Sequence, residues 1–212
     1  MTNTASRKAV VNEAARGALR NLLFLGLEEL LIERPWSAIT MTHIARRSGV
    51  SRQTLYNEFG SRDAFIAAYV LWASDQFLDE VERTVDANRE SLEGALSAAL
   101  THILTLASEH PLIRGLEATT GEQGLLALVA GNTGRALLST ASGRLIGIIE
   151  RTWPRISEAD RSMLAEIIVR LSLSHLLVST HTPEDAAALV AQALRPYFAT
   201  MIDREETLGA RL

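Results

Sequence analysis

Apolar residues recur at intervals of three and four along almost the whole chain, and this period constrains the fold more than any other feature of the sequence. Such intervals place apolar side chains on one face of an α-helix, which turns about every 3.6 residues. Strands would instead show alternating β-branched stretches, and the sequence lacks them. The sequence therefore predicts an all-α fold of about nine helices.

Capping residues and prolines divide this pattern into separate helices. Serine or threonine accepts hydrogen bonds from the free amides of a helix N-terminus, whereas proline ends or kinks a helix. Glycines between Gly115 and Gly134 predict short helices over residues 112–133, and Pro196 predicts an end or a kink in the last helix. The other expected helices cover, in order, residues 12–33, 41–48, 52–59, 62–85, 91–110, 135–152, 157–180 and 183–196.

The composition fits a folded protein without thiol chemistry. An apolar share of 47% in 212 residues is enough to bury a core. Cysteine is absent, which excludes disulfides, thiolate nucleophiles and cysteine-ligated metal sites. No apolar run reaches the ~20 residues of a membrane-spanning helix, and residues 1–9 lack the apolar segment of a signal peptide. We therefore expect a cytoplasmic protein with no membrane partner.

Charge is distributed unevenly along the chain. The net formal charge is −4, yet residues 1–62 hold nine basic and five acidic residues. The remaining residues hold twelve basic and twenty acidic ones. A basic N-terminal part on an acidic remainder is typical of a polyanion-binding unit joined to a sensing domain, although such clustering also arises by chance.

Residues 39–69 read ITMTHIARRSGVSRQTLYNEFGSRDAFIAAY and predict two short helices joined by a sharp turn. Gly49 permits the turn, and Ala45 is small enough to let the helices approach. The apolar Ile44, Val50 and Leu55 would fill the wedge between them. The second of these helices then projects side chains suited to phosphates and base edges, namely Arg52, Gln53, Thr54, Tyr56 and Asn57.

This stretch resembles the TetR/AcrR family of transcriptional regulators. MTHIARRSGVS resembles the family's second helix and turn, and VSRQTLYNEFGSRDA resembles its recognition helix and the junction with helix four. The resemblance covers about residues 22–69 and implies a helix-turn-helix DNA-binding domain over residues 1–62. It further implies a ligand-binding and dimerisation domain over residues 63–212. Family members are homodimers, usually repressors of double-stranded operator DNA that a small molecule releases.

The resemblance also assigns roles by position. Gln53, with Arg52 and Asn57, would read bases. Arg62 stands where the family commonly has a lysine that meets phosphate at the start of helix four. The residues that would contact the DNA backbone are Thr40 or Thr42, Ser51, Arg52, Thr54 and Tyr56.

Glu58 departs from the family's pattern, in which many members have histidine at that position. A carboxylate near phosphates is unfavourable. Glu58 would therefore face away from DNA, accept a hydrogen bond from cytosine, or pair with a nearby arginine.

The later helices predict a body that binds an apolar ligand. Few charges interrupt their inner faces, which favours an effector such as a fatty acid, an acyl derivative, an alkane or a hydrophobic drug. An ordinary core shows the same kind of apolar stripe. The candidate pocket residues are Trp72, His102, Ile103, Leu106, Leu116, Leu137 and Leu138, with His175 as a polar group that could orient the ligand.

The last two helices carry more apolar residues than one protomer is expected to bury. A two-fold four-helix interface between protomers fits this excess, and packing within a monomer is the alternative. The candidate interface residues are Ile167, Ile168, Leu171, Leu189, Val190, Leu194 and Phe198.

No catalytic constellation accompanies these features. The five histidines form no i,i+4 pair around a glutamate, and the sequence has neither a glycine-rich loop between a strand and a helix nor a G-x-S-x-G motif. The sequence therefore predicts a regulator rather than an enzyme, with no cofactor and no metal. An architectural or adaptor protein that uses the same fold without a ligand is the alternative.

Overall fold

The computed structural model describes residues 2–111, 113–114, 131–178 and 180–209, and for residues 2–8, 199–200 and 202–209 it describes the backbone alone. These residues form eight α-helices, one short 3-10 helix over Trp36–Ala38, and no strand, which confirms the all-α prediction. The helices are α1 (Thr2–Glu33), α2 (Met41–Arg47), α3 (Arg52–Phe59), α4 (Arg62–Ala87), α5 (Leu92–Glu109), α6 (Asn132–Thr152), α7 (Glu158–Leu177) and α8 (Pro183–Gly209).

The first and last helices extend far beyond their expected bounds. Helix α1 begins at Thr2 instead of near Asn12, because no glycine or proline precedes Gly17 to interrupt it. Helix α8 continues past Pro196 to Gly209 instead of ending there. Packing of α8 against α5 stabilises a continuous helix, although Pro196 has no backbone N–H to donate a helical hydrogen bond. Most of the short helices expected over residues 112–133 lie outside the described residues.

Hydroxyl side chains cap the N-termini of α2, α3, α4, α5, α7 and α8. In each, a hydroxyl oxygen accepts a hydrogen bond from a backbone amide three residues on, at 3.0 to 3.3 Å. Each such cap stabilises its helix by roughly 1 kcal/mol. The capping residues are Thr40, Ser51, Ser61, Ser91, Ser157 and Thr182.

Helix α4 contributes to the two largest hydrophobic cores of the described residues. The first, which we call the head core, combines its N-terminal half with α1, α2 and α3 and extends along the chain from Leu23 to Ala73. The second, the body core, begins on α4 at Leu78 and includes residues of α5, α6, α7 and α8. We call α1 to α3 the head and α5 to α8 the body. A single continuous helix therefore carries side chains of both cores.

Three aromatic residues of α4 at intervals of four and three, which we call the aromatic row, anchor the head. Phe65, Tyr69 and Trp72 surround the ring of Phe24 on α1, with ring centroids 5.6, 5.8 and 5.4 Å away. Distances of this size are typical of favourable aromatic pairs. These contacts fix the N-terminal half of α4 to α1.

Part of the predicted dimer surface lies inside the protomer. Val190, Leu194 and Phe198 are 2%, 3% and 4% exposed and pack in the body core. Their assignment to the dimer interface is therefore corrected, because a side chain buried within one protomer is not available to a partner. Helix α8 has two apolar faces, and its spacing of four residues does not reveal which face turns inward.

The other predicted interface residues have mixed positions. Ile168 lines an internal cavity, and Ile167 and Leu171 are half-buried on α7. Leu189 and Tyr197 are each 49% exposed on the outer face of α8. An exposed apolar surface therefore remains on α7 and α8, but it is narrower than the sequence predicts.

Within the described residues, no helix combines the length and the apolar character needed to cross a membrane.

Candidate DNA interface and effector cavity

Helices α2 and α3 form the sharp two-helix unit that the sequence predicts. Gly49 adopts a φ of 67°, which lies in the left-handed region that is costly for residues other than glycine. The Val50 amide donates to the carbonyl of Ala45 across the turn at 2.9 Å. Ile44 and Leu55 are fully buried between the helices. The turn therefore holds α3 at a fixed position on the head core.

A close approach of α1 fixes α2 from the other side. Gly26 lies so near Ser48 that a Cβ atom at position 26 would overlap the Ser48 hydroxyl. That hydroxyl is buried and donates to the carbonyl of Leu22 at 3.2 Å. Glycine at position 26 thus permits a hydrogen bond that locks α2 to α1.

Helix α3 exposes the side chains predicted to meet DNA. Arg52, Gln53 and Asn57 are exposed, whereas Thr54 and Tyr56 are half-buried. The Gln53 amide donates to Asn57 Oδ1 at 2.7 Å, and the Arg52 guanidinium lies over the Tyr56 ring at 5.2 Å. These contacts pre-order polar groups along one side of the helix.

The position of Glu58 is settled by two arginines of α1. Its carboxylate accepts hydrogen bonds from Arg16 Nε and Arg20 Nε, each at 2.7 Å, and its side chain is 10% exposed. Of the three positions left open by the sequence, pairing with nearby arginines is the one observed. The carboxylate is neutralised within the head.

Ion pairs within the head also reduce the number of arginines that are not paired with acidic side chains. Arg47 pairs with Glu29 at 3.2 Å and with Glu33, and Arg34 also pairs with Glu33. Within the described residues, Arg46 on α2 and Arg52 on α3 are exposed and form no salt bridge with an acidic side chain. These two arginines leave positive charge exposed on α2 and α3.

Arg62 has a structural role that the resemblance did not imply. Its Nη2 donates to the carbonyls of Trp36 at 2.8 Å and Ile39 at 3.2 Å. Its guanidinium also lies 3.9 Å from the centre of the Trp36 ring. Arg62 thereby ties the start of α4 to the segment before Thr40, the N-cap of α2. Thr42 is exposed in the first turn of α2.

An apolar cavity of about 220 Å³ lies in the body. Its walls are side chains of α4, α5, α6 and α7, with Phe198 from α8 and with His110, Ile113 and Trp153 from the segments that follow α5 and α6. Among the described residues, no lysine, arginine, aspartate or glutamate lines it. The cavity can therefore hold an apolar molecule and offers little to an ionic one.

The predicted pocket residues are divided between the cavity and other places. Ile103 and Leu137 line the cavity. Trp72 instead packs against Phe24 in the head core, and Leu138 packs against the body core. Leu106 is half-buried and is not among the lining side chains. Leu116 lies outside the described residues.

Neither predicted histidine reaches the cavity. His102 Nε2 lies 3.5 Å from a Glu80 carboxylate oxygen on the outer side of α4 and α5. The His175 ring lies 6.2 Å from that of His181 at the end of α7. Helical period identifies a face of a helix but not the neighbour that the face meets, so this part of the pocket assignment is corrected.

Sequence reasoning missed the polar end of the cavity. Tyr69 Oη lies 3.2 Å from His110 Nε2 and 3.4 Å from Glu28 Oε1, and Tyr69 and His110 both line the cavity. Burial raises the pKa of Glu28 and of Tyr69 and lowers the pKa of His110. The only sequence signal was the position of Tyr69 in the aromatic row.

Comparison with known proteins adds two family matches. Residues 26–69 match the model described as bacterial regulatory proteins, tetR family. Residues 91–196 match the model described as bacterial tetracyclin repressor, C-terminal domain.

Individual relatives agree with these matches. The HTH-type transcriptional regulator AlkX of Mycobacterium tuberculosis is 33% identical over 87% of this chain and 87% of its own length. The crystal structure of the TetR family repressor AlkX from Dietzia sp., implicated in biodegradation of n-alkanes, has 29% identity and a TM-score of 0.76, covering 86% of this chain and 96% of that one. The transcriptional activator FasR of Mycolicibacterium smegmatis is 31% identical over 41% of each chain. The prediction of a regulator rather than an enzyme is thereby confirmed, and the chain belongs to the TetR family of DNA-binding transcriptional regulators.

Proposed function

We propose that this protein is a homodimeric repressor whose operator binding is released when an apolar molecule enters the body cavity. The observation that carries the proposal is the position of the cavity. Residues of α4 from Tyr69 to Val85 line it, while the same helix holds the head through Phe65 and Trp72. A molecule that displaces the cavity half of α4 would therefore move the head.

Contacts with the operator are assigned to the exposed side of α3 and its surroundings. Gln53, Arg52 and Asn57 would read base edges in the major groove, because their amide and guanidinium groups match base donors and acceptors. The backbone contacts would come from Thr40, Thr42, Ser51, Thr54 and Tyr56, with Arg46 as an added phosphate contact. Arg62 acts in this scheme by positioning α2, since its guanidinium already binds two carbonyls.

The dimer would form through the outer faces of α7 and α8. Met163, Ile167 and Leu171 lie at intervals of four and so share one face of α7. Leu189 and Tyr197 lie eight residues apart, two further turns along one face of α8. Packing these faces about a two-fold axis gives a four-helix interface. Such a dimer would place two recognition helices in successive major grooves, about 34 Å apart.

The proposed effector is an aliphatic molecule such as a fatty acid, an acyl derivative or an alkane. The support is the lining of the cavity, in which aliphatic side chains predominate. The Dietzia relative is described as implicated in n-alkane biodegradation, which agrees with the same chemical class. Because such coupling is reciprocal, operator DNA would weaken effector binding by the same factor by which the effector weakens operator binding.

The test begins with DNA fragments selected by the purified protein from the source genome. A fluorescent fragment is then titrated with protein in the presence and absence of octanol, dodecanol and the corresponding alkanes. We expect the selected fragments to share a two-fold symmetric DNA site. At least one aliphatic compound should lower the affinity for the fragment by about tenfold or more. Operator affinity that no aliphatic compound changes would instead favour an adaptor that works without a ligand.

A further inference from the structure

Two polar side chains, Tyr69 and His110, border the cavity at the end nearest the head. Two other polar side chains in the lining are bonded within their own helix: Ser74 donates to the carbonyl of Leu71 at 2.7 Å, and Ser172 to that of Ile168 at 2.8 Å. Tyr69 and His110 differ, because they belong to different parts of the chain and meet at 3.2 Å. Their hydrogen bond closes the head end of the cavity.

The same tyrosine reaches the head. Its hydroxyl donates to Glu28 Oε1 on α1 at 3.4 Å, and Glu28 lies 41 residues away along the chain. Tyr69 is fully buried, it borders the cavity, and its ring packs against Phe24 of α1. A residue of the cavity wall is thus in direct hydrogen-bond contact with a carboxylate of the DNA-binding head.

A tyrosine hydroxyl has one proton to donate. If that proton is given to a molecule in the cavity, it is not given to Glu28. The two interactions therefore compete. This competition needs an acceptor atom on the bound molecule, which an alkane lacks.

The chemistry of the lining limits what the acceptor can be. No cationic side chain among the described residues lines the cavity, and burial lowers the pKa of His110, which favours its neutral form. An ionised group at this end would be buried without a counter-charge, and that is costly. A hydroxyl or an uncharged carboxyl group would be accommodated.

We infer that the cavity binds an aliphatic chain ending in an uncharged oxygen group, and that this oxygen accepts the Tyr69 proton otherwise donated to Glu28. The inference rests on the proposed function, because it names the part of the cavity that recognises the effector. Binding then removes one contact between body and head. The Glu28 carboxylate, half-buried on α1, loses its tyrosine donor and turns towards water.

The binding test compares octanol with octane, both measured by displacement of a fluorescent apolar probe. Because the Glu28 carboxylate regains hydrogen bonds from water as it turns outward, the wild-type protein is expected to prefer octanol by about three- to tenfold, the range for one net hydrogen bond. Tyr69→Phe should abolish the preference while octane binding is retained. His102→Gln, a change on α5 outside the cavity, should keep it. Circular dichroism melting curves establish that each variant is folded.

The coupling test uses α1. Glu28→Leu removes the acceptor on the head, so octanol should bind at least as tightly yet weaken operator binding less than it does for the wild type. Glu28→Gln keeps an acceptor oxygen and should restore the coupling. Glu29→Leu, a change at the exposed neighbouring carboxylate, should leave the coupling at its wild-type value.

The outcomes separate this inference from the proposed function. If aliphatic compounds release the operator but the wild type binds octane and octanol equally, or if Glu28→Leu leaves coupling unchanged, the inference is overturned and the proposed function stands. If no aliphatic compound affects operator binding, both are overturned. A preference for octanol that Tyr69→Phe removes, with coupling that Glu28→Gln restores, supports both.

Discussion

The arginines of the head divide into those that hold the fold together and those that remain exposed without an acidic partner. Arg16 and Arg20 bind Glu58, and Arg47 binds Glu29 and Glu33. A count of charges along the sequence treats all of them as available. The structure leaves Arg46 on α2 and Arg52 on α3 exposed, so DNA binding should depend on a few side chains rather than on the net charge of the head.

Gln53 and Arg46 should behave differently when each is replaced by alanine. Gln53→Ala removes a candidate base contact and should weaken operator binding by about 1 to 3 kcal/mol, with little effect on non-specific DNA. Arg46→Ala removes a phosphate contact and should weaken binding to both DNAs while reducing the salt slope by about one. Fluorescence anisotropy at several salt concentrations measures both effects. Equal losses on operator and non-specific DNA for Gln53→Ala would contradict its role in base recognition.

His110 should make stability depend on pH. Burial lowers its folded-state pKa below the ordinary 6.5, so between these two values the unfolded chain binds more protons. The stabilisation is complete above about pH 6.5 and is lost as pH falls through that value and then through the folded pKa. Glu28, whose pKa burial raises, acts in the opposite direction, and Tyr69 titrates far above this range.

The measurement is urea unfolding of the wild type and of His110→Gln between about pH 5.5 and pH 7.5. The contribution of Glu28 is common to both proteins. The unfolding free energy of the wild type should therefore fall relative to that of His110→Gln as pH is lowered. A difference that is constant across this range would show that His110 is not held neutral by burial.

At the scale of the helices, the contact of α1 with α2 depends on one glycine. Gly26→Ala places a methyl group on the Ser48 hydroxyl and should break its hydrogen bond to Leu22, at a cost of about 1 kcal/mol of unfolding free energy. Gly17→Ala, on the same helix with no atom within 4 Å, should instead stabilise by about 0.5 to 1 kcal/mol. Denaturant unfolding compares the two variants. Equal stabilisation by both would rule out a tight contact at Gly26.

Local signals explain why most elements were predictable and some site residues were not. Helix α3 begins after Ser51 and ends before Gly60, as expected, because capping depends only on the nearest few backbone groups. The direction of a helix face depends on distant partners, so Trp72 was placed in a pocket although it packs on Phe24. The contact between Tyr69 and Glu28 joins residues 41 apart and leaves no periodic trace in the sequence.

At the scale of the whole molecule, the dimer proposal rests on side chains that one protomer leaves exposed. Leu189→Glu should convert the dimer to a monomer and weaken operator binding, because two half-sites then bind separately. The change should leave folding intact, since Leu189 is 49% exposed. Sedimentation velocity at micromolar concentration measures the oligomeric state.

Leu25→Glu is the matched control for this change. Leu25 has the same exposure of 49% but lies on α1 in the head. The control should sediment like the wild type. A wild-type protein that sediments as a monomer, or a Leu189→Glu variant that remains a dimer, would contradict an interface built on the outer face of α8.

The central claim is that occupancy of the cavity moves the heads through α4. Because the chain has no cysteine, Ala64→Cys at the exposed start of α4 allows one spin label per protomer. Pulsed electron resonance then measures the distance between the two labels of the dimer, with and without octanol. The account predicts that octanol shifts this distance on the order of 2 Å or more and that operator DNA reverses the shift. An unchanged distance at saturating octanol would contradict the account.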